Sequence, residues 1–296
     1  MKRLILMILL SLAAHSAAQA SMQVVATVPN IGMLAREIGG QQVRVRVLAP
    51  PDRDAHYLEA RPSMMAALRR ADLLVAVGAE LEIGWLPAAI RGANNPRIHP
   101  GRTGYFESAA HVDLIEVGGA ADRARGDVHP AGNPHLYMDP VRMAEVGRVL
   151  AERMAALDSD NAGYYRENAE RFASRVRERV PDWKERAEAA EGALAYHGDA
   201  NYLLRLLEVP LYGHIEVLPG IPPTASHLRD LVRRLQGREG VIFHMDYQPS
   251  QGARFMEREL GWPVFELPGQ VGMNAGAEEY FEMIDRWVAA LVGEDR

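Results

Sequence analysis

The feature that most restricts the fold is an alternation running along nearly the whole chain: a short β-branched run, a turn, then a stretch of helical period. Gln23 to Val28 is a β-branched run that closes on Pro29-Asn30, and Ile31 to Ile38 follows with helical spacing before Gly39-Gly40. This order predicts strand, turn and helix. Val43 to Leu48 predicts a second strand, Ser63 to Arg70 a helix with apolar Met64, Met65 and Leu68, and Asp72 to Val77 a buried strand. Strands that alternate with helices specify α/β architecture with mainly parallel sheets.

The pattern lapses between Val117 and Pro134, where Gly, Ala and Asp dominate and no apolar period survives, so a surface loop is expected there. Asp139-Pro140 then opens a helix, Asp being a good N-cap and Pro being tolerated at the first helical position. Met143, Val146, Val149, Leu150 and Met154 share one face of it. After a break at Asp158 to Asn161, a second helix is expected from Tyr164 to about Ala190. Its density of Arg and Glu suits an exposed helix spanning between lobes, with a kink or restart at Pro181. The α/β order then resumes. Leu194 to Tyr196, Leu211 to Tyr212, Val241 to His244 and Val264 to Leu267 are short strand candidates. Helices are expected at Ala200 to Leu207, Ala225 to Leu235, Gln251 to Leu260 and Tyr280 to Val292.

At the N-terminus, Lys2 and Arg3 precede an apolar run from Leu4 to Leu12, and the stretch closes on Ala18-Gln19-Ala20. A cationic start, a short apolar run and a small-residue site are the parts of a secretory leader, with cleavage expected after Ala20. The run is shorter than the roughly 20 residues of a membrane-spanning helix. The chain has no cysteine, so it offers neither a thiol for a lipid anchor nor a disulfide, and an exported, soluble protein held together by core burial is expected. Without the leader about 275 residues remain, enough for two lobes. The formal net charge of -6 argues against nucleic acid, which is bound through basic patches.

Several histidines stand beside turns. His56 lies in Pro50-Pro51-Asp52-Arg53-Asp54-Ala55-His56-Tyr57 directly after an expected strand, where α/β sheets gather ligands. His135 sits in Gly132-Asn133-Pro134-His135 just before a helix start, and His197 follows the Leu194 to Tyr196 strand. Three imidazoles and one carboxylate would make a tetrahedral site suited to zinc. Spacing alone leaves open whether the three meet, because nothing here has the sequence-adjacent form of a zinc finger or metalloprotease helix. A loop histidine at the surface is the competing reading for each.

Five segments in order join them: Asp54-Ala55-His56-Tyr57-Leu58-Glu59 with Pro62-Ser63; Gly78-Ala79-Glu80-Leu81-Glu82 before Trp85-Leu86; Asn133-Pro134-His135 through Asp139-Pro140; Tyr196-His197; and Pro219-Gly220 leading to His227-Leu228. In this set the mature chain resembles the metal-binding receptors of bacterial ABC importers, the group that carries zinc or manganese. The resemblance implies two α/β lobes joined by a long rigid helix, with a metal ion held between them by one ligand from each of four segments. On that pattern residues 1–20 are the signal peptide, 21–139 the N-terminal lobe, 140–190 the linking helical segment and 191–296 the C-terminal lobe.

His56, His135 and His197 match three of the four ligand positions. Three histidines imply Zn2+ as the bound ion, since the manganese receptors of the group usually carry a carboxylate at the third position. The fourth position, an aspartate in the group, falls here on Glu266, with Asp246, Glu216 or water as rivals. Many zinc receptors of this type carry a His- and Asp-rich loop before the second ligand. Here that region keeps only His129 and Asp127, which read as a solvent loop or a stray second binding spot. Glu59, Asp139 and Asp199 are candidate partners for the far nitrogens of the imidazoles, and Trp85, Tyr137 and Tyr196 are read as packing residues.

The implied function is a monomeric receptor that delivers Zn2+ to a permease and its ATPase in the inner membrane, with a periplasmic metallochaperone as a further partner. Readings that keep the fold are a manganese or iron receptor and a zinc chaperone. A periplasmic zinc hydrolase also fits three histidines, but the chain has no H-E-x-x-H, no G-x-S-x-G elbow and no phosphate loop.

Overall fold

The computed structural model describes residues 21–118, 129–217 and 220–294. The expected leader and residues 119–128 of the expected loop lie outside them. Within them the alternation resolves into two four-stranded parallel sheets. The first holds β1 (Met22–Ala26), β2 (Val43–Val47), β3 (Leu73–Ala76) and β4 (Tyr105–Glu107) in the order β2-β1-β3-β4. The second holds β5 (Ala193–Ala195), β6 (Leu211–His214), β7 (Val241–Met245) and β8 (Val264–Leu267) in the order β6-β5-β7-β8. Both halves therefore repeat one topology, and every paired neighbour is parallel.

Helices α1 (Pro29–Gly39), α2 (Pro62–Arg69) and α3 (Leu86–Ala93) connect the first four strands. Then come α4 (Pro140–Leu157) and α5 (Ala162–Ala187), followed by α6 (Asn201–Leu206), α7 (Ala225–Leu235), α8 (Gln251–Leu260) and α9 (Ala277–Leu291). The sequence pattern marks neither α3 nor the three residues of β4. An edge strand of three residues is too short to show a period of two, so only pairing with β3 reveals it.

The start of α4 is as its sequence requires. The Asp139 carboxylate accepts from the backbone N–H of Val141 at 2.8 Å and of Arg142 at 3.2 Å, with Pro140 at the first helical position. Pro181 departs from expectation: α5 runs through it without a restart. The proline gives up the hydrogen bond to the Arg177 carbonyl. The buried stripe continues on both sides of it, through Phe172 and Val176 before and Trp183 and Ala187 after. Tertiary packing of that stripe, more than local propensity, sets the helix.

Each sheet has apolar clusters on both faces. The outer ones are separate: Leu68, Leu74, Trp85 and Ile90 in the first half, and Leu194, Leu231, Ile242 and Met256 in the second. The inner layer is a single cluster that passes from Val24, Ile31 and Val75 through Val146, Phe172 and Val176 to Tyr280, Trp287 and Phe243. One core thus runs beneath both halves. Polar staples reinforce it. The wholly buried Asn30 at the start of α1 donates its backbone N–H to Gln270 Oε1 at 3.0 Å and its amide to the Gly269 carbonyl at 3.1 Å, and accepts from the Val271 N–H at 2.9 Å. The Tyr280 hydroxyl of α9 donates to the Tyr137 carbonyl at 2.9 Å.

Candidate metal centre

The carboxyl ends of the parallel strands present the loops that carry the three histidines, the usual location of ligand sites in open α/β sheets. His56 stands in a single 3-10 turn, Ala55–Tyr57, beyond β2. Asp54 fixes that turn from within: its Oδ1 accepts the His56 backbone N–H at 2.9 Å and lies 2.6 Å from His56 Nδ1. Burial opposes the Asp54 charge, but the hydrogen bonds and proximity of His56 hold its carboxyl below the usual range.

His135 precedes the turn Leu136–Met138 that leads into α4. Its backbone N–H is accepted by Asn133 Oδ1 at 2.9 Å, and the same asparagine donates its amide to Glu116 at 3.0 Å and to the Gly198 carbonyl at 2.8 Å. Gly132 makes this path available. Its φ of +120° is left-handed, and a Cβ there would stand 2.7 Å from Leu114 Cβ. His197 follows β5, beside the strand pair β5/β7 where the order of the second sheet reverses.

The three side chains converge. Among the described residues, one ligand atom from each of His56, His135 and His197 lies within 4.8 Å of the others. His135 Nε2 and His197 Nε2 are 3.3 Å apart. The ring centroids of His56 lie 5.2 Å from His135 and 5.9 Å from His197. The side chains are 5%, 1% and 13% exposed in chain order, so water screens them little.

The far nitrogens are engaged. His56 Nδ1 faces Asp54, and His197 Nδ1 lies 3.2 Å from Glu216 Oε2. His135 Nδ1 is 2.8 Å from the Tyr137 hydroxyl and 3.7 Å from Asp199 Oδ1. An imidazole that gives its Nδ1–H to a carboxylate leaves a lone pair on Nε2. Lone pairs that face each other at 3.3 Å repel unless a cation, a proton or a metal ion, stands between them. Tetrahedral zinc with Zn–N bonds of about 2.0–2.1 Å spaces its nitrogen ligands by about 3.3–3.4 Å, the separation found for His135 and His197.

The electrostatics divide the pair. Burial, with the neighbouring rings of His56, His197 and His129, pushes His135 well below the usual imidazole range. Burial also pulls on His197, but Asp199, Glu216 and Asp54 more than offset it and raise it to about 9.

Glu266, expected as the fourth ligand, stands on β8 with an exposed side chain and is not among the three converging residues. Alternation along β8 puts Glu266 on the face opposite to buried Phe265 and Leu267, where its side chain is exposed. Asp246 is exposed too, and partial burial of its carboxyl, with the charges of Glu266 and Asp52, raises it. Glu216 reaches the far nitrogen of His197.

The partners of the far nitrogens also differ from expectation. Asp199 is near His135, but Asp139 caps α4 and Glu59 is exposed, while Asp54, Tyr137 and Glu216 supply the contacts. Tyr137, read as packing, is buried beside His135. The Asp54-x-His56 and His135-x-Tyr137 spacings, each able to close a local ring of hydrogen bonds, were the available signal. His129 comes in too, its Nε2 3.1 Å from His56 Nε2.

With this geometry in hand, comparison with known proteins identifies the lineage. The family ZnuA, zinc-uptake complex component A periplasmic, matches residues 24–293. The chain belongs to this family. Its members are the substrate-binding receptors of metal ABC transporters, not enzymes, and work with a membrane permease and an ATPase.

The metal ABC transporter substrate-binding lipoprotein SloC of Streptococcus mutans is 21% identical over 89% of this chain and 88% of its own length. The manganese-binding lipoprotein MntA of Halalkalibacterium halodurans is 22% identical over 91% and 88%. In fold, the chain superposes on a crystal structure of ZnuA with a TM-score of 0.75 at 19% identity, covering 93% of this chain and all of that one. It superposes on FpvC from Pseudomonas aeruginosa in complex with Mn2+ with a TM-score of 0.76 at 22% identity, covering 92% and 97%. Among the described residues no helix is long and apolar enough to cross a membrane.

Proposed function

We propose that this receptor captures Zn2+ with His56, His135 and His197 in the periplasm and delivers it to an ABC importer in the inner membrane. The observation that carries the reading is the convergence of three buried imidazoles. Three acidic side chains, Asp54, Asp199 and Glu216, stand behind them. Nitrogen donors match zinc, while manganese favours carboxylate, carbonyl and water. The carboxylates supply negative charge without occupying the nitrogen positions, so zinc gains charge compensation without an oxygen-rich first ring of ligands.

A manganese receptor is the second reading, favoured by relatives such as MntA, whose name states manganese binding. The donor set weighs against it. Residues 1–20 act in this reading as a cleaved leader, and the absence of cysteine from the chain leaves no thiol for lipid attachment. The mature receptor then works as a soluble monomer, with a periplasmic metallochaperone as a source of metal.

Titration of the metal-free protein with each ion alone tests the assignment. Zinc is expected to saturate one site per chain, and manganese to give no saturable binding over the same concentrations. Manganese saturation in that range would overturn it.

A further inference from the structure

We infer that His129 is the fourth metal ligand, so that the ion is held by four imidazoles. This rests on the three-histidine reading and deepens it. His129 Nε2 lies 3.1 Å from His56 Nε2, and the two ring centroids are 5.1 Å apart. That separation is close to the roughly 3.3–3.4 Å between nitrogens bound to one tetrahedral zinc.

Asp54 engages both the His56 backbone N–H and its Nδ1, which favours the tautomer with the proton on Nδ1. Its Nε2 therefore offers a lone pair towards His129, and a cation at that nitrogen satisfies both rings. The two nitrogen contacts, His56 to His129 and His135 to His197, meet through the close approach of the His56 and His135 rings. His129 stands outside the set of three whose ligand atoms lie within 4.8 Å of one another, so binding draws its ring inward onto the ion.

The backbone beneath it is anchored for that swing. The His129 carbonyl accepts the Gly132 N–H at 2.9 Å, and the Pro130 carbonyl accepts the Gly118 N–H at 3.1 Å. Candidate carboxylates leave the position to it: Glu266 and Asp246 are exposed, and Asp54, Asp199 and Glu216 serve the far nitrogens or other donors. A nitrogen-only set also sharpens discrimination against manganese.

X-ray absorption at the zinc edge of the loaded wild-type protein counts bound imidazoles by their multiple scattering. Four are expected, falling to three in His129→Gln. That variant is also expected to lose more than the roughly 100-fold in zinc affinity that marks the upper range for outer partners of a metal site. Three imidazoles in the wild type, with zinc affinity in His129→Gln within about threefold of it, would overturn the inference and leave the three-histidine site standing. His135→Ala separates the two ideas: undiminished zinc affinity in that variant would remove the underlying site as well.

Discussion

Zinc and a proton compete for one nitrogen of His197, and the structure gives the size of that competition. Asp199, Glu216 and Asp54 outweigh the burial of His197 and raise it to about 9, while burial and the neighbouring rings push His135 the opposite way. The proton of the pair therefore resides on His197 Nε2 and points at His135 Nε2, 3.3 Å away. Zinc must displace it.

At pH 7, about two units below that value, about 1% of molecules have His197 free, so affinity lies on the order of 100-fold below its alkaline limit. Raising the pH from 7 to 8 frees about ten times more ligand and tightens binding about tenfold, and the gain levels off above about pH 9. The metal-free fold shows the opposite dependence. A raised histidine stabilises it fully below about pH 6.5, and that contribution fades as pH rises through about 9.

Chelator competition across pH 7 to 8.5 measures the slope. Calorimetry near neutrality in two buffers of different ionisation heat measures the proton released by His197, expected to be about one. Glu216→Gln removes one negative charge beside Nδ1 while keeping a neutral oxygen acceptor there, so the rising part of the profile should move to lower pH. An affinity that is flat from pH 7 to 8.5, with no proton released, would refute the reasoning.

Two further perturbations probe the scaffold. Asn30→Ala strips partners from the buried Gly269 carbonyl and Val271 N–H, at about 1–3 kcal/mol each, and should lower Tm by about 5–15 °C; a melt within about 2 °C of wild type would contradict that role. Gly132→Ala forces a Cβ against Leu114 at a φ of +120° and should cost about 1–3 kcal/mol while displacing His135. Its zinc affinity is expected to fall at least about tenfold, and unchanged affinity in a folded variant would show that the Gly132 turn does not set the ligand.

The alternation of periods made both sheets legible in the sequence, because a strand buried on two faces and a helix buried on one leave distinct patterns. Asp139-Pro140 announced α4 for the same local reason. What stayed hidden depends on contacts between distant segments. Tyr105–Glu107 is a strand only because β3 pairs with it, and α5 passes Pro181 because Val176 and Trp183 are both buried. The three histidines could be singled out from their turns and flanking segments, but their meeting is a tertiary fact. The resemblance put the fourth ligand at Glu266, whereas alternation along β8 leaves that side chain exposed. His129 reads as a solvent residue in a Gly-rich loop until its ring is seen 3.1 Å from that of His56.

Where the metal sits and which metal it is can be read from one experiment. A crystal structure of the zinc-loaded protein, with anomalous differences recorded on both sides of the zinc edge, tests both most directly. One strong peak is expected, bonded to Nε2 of His56, His135 and His197 and lost below the edge. A peak on the Glu266 and Asp246 side of the second sheet, or one that persists below the zinc edge, would contradict it.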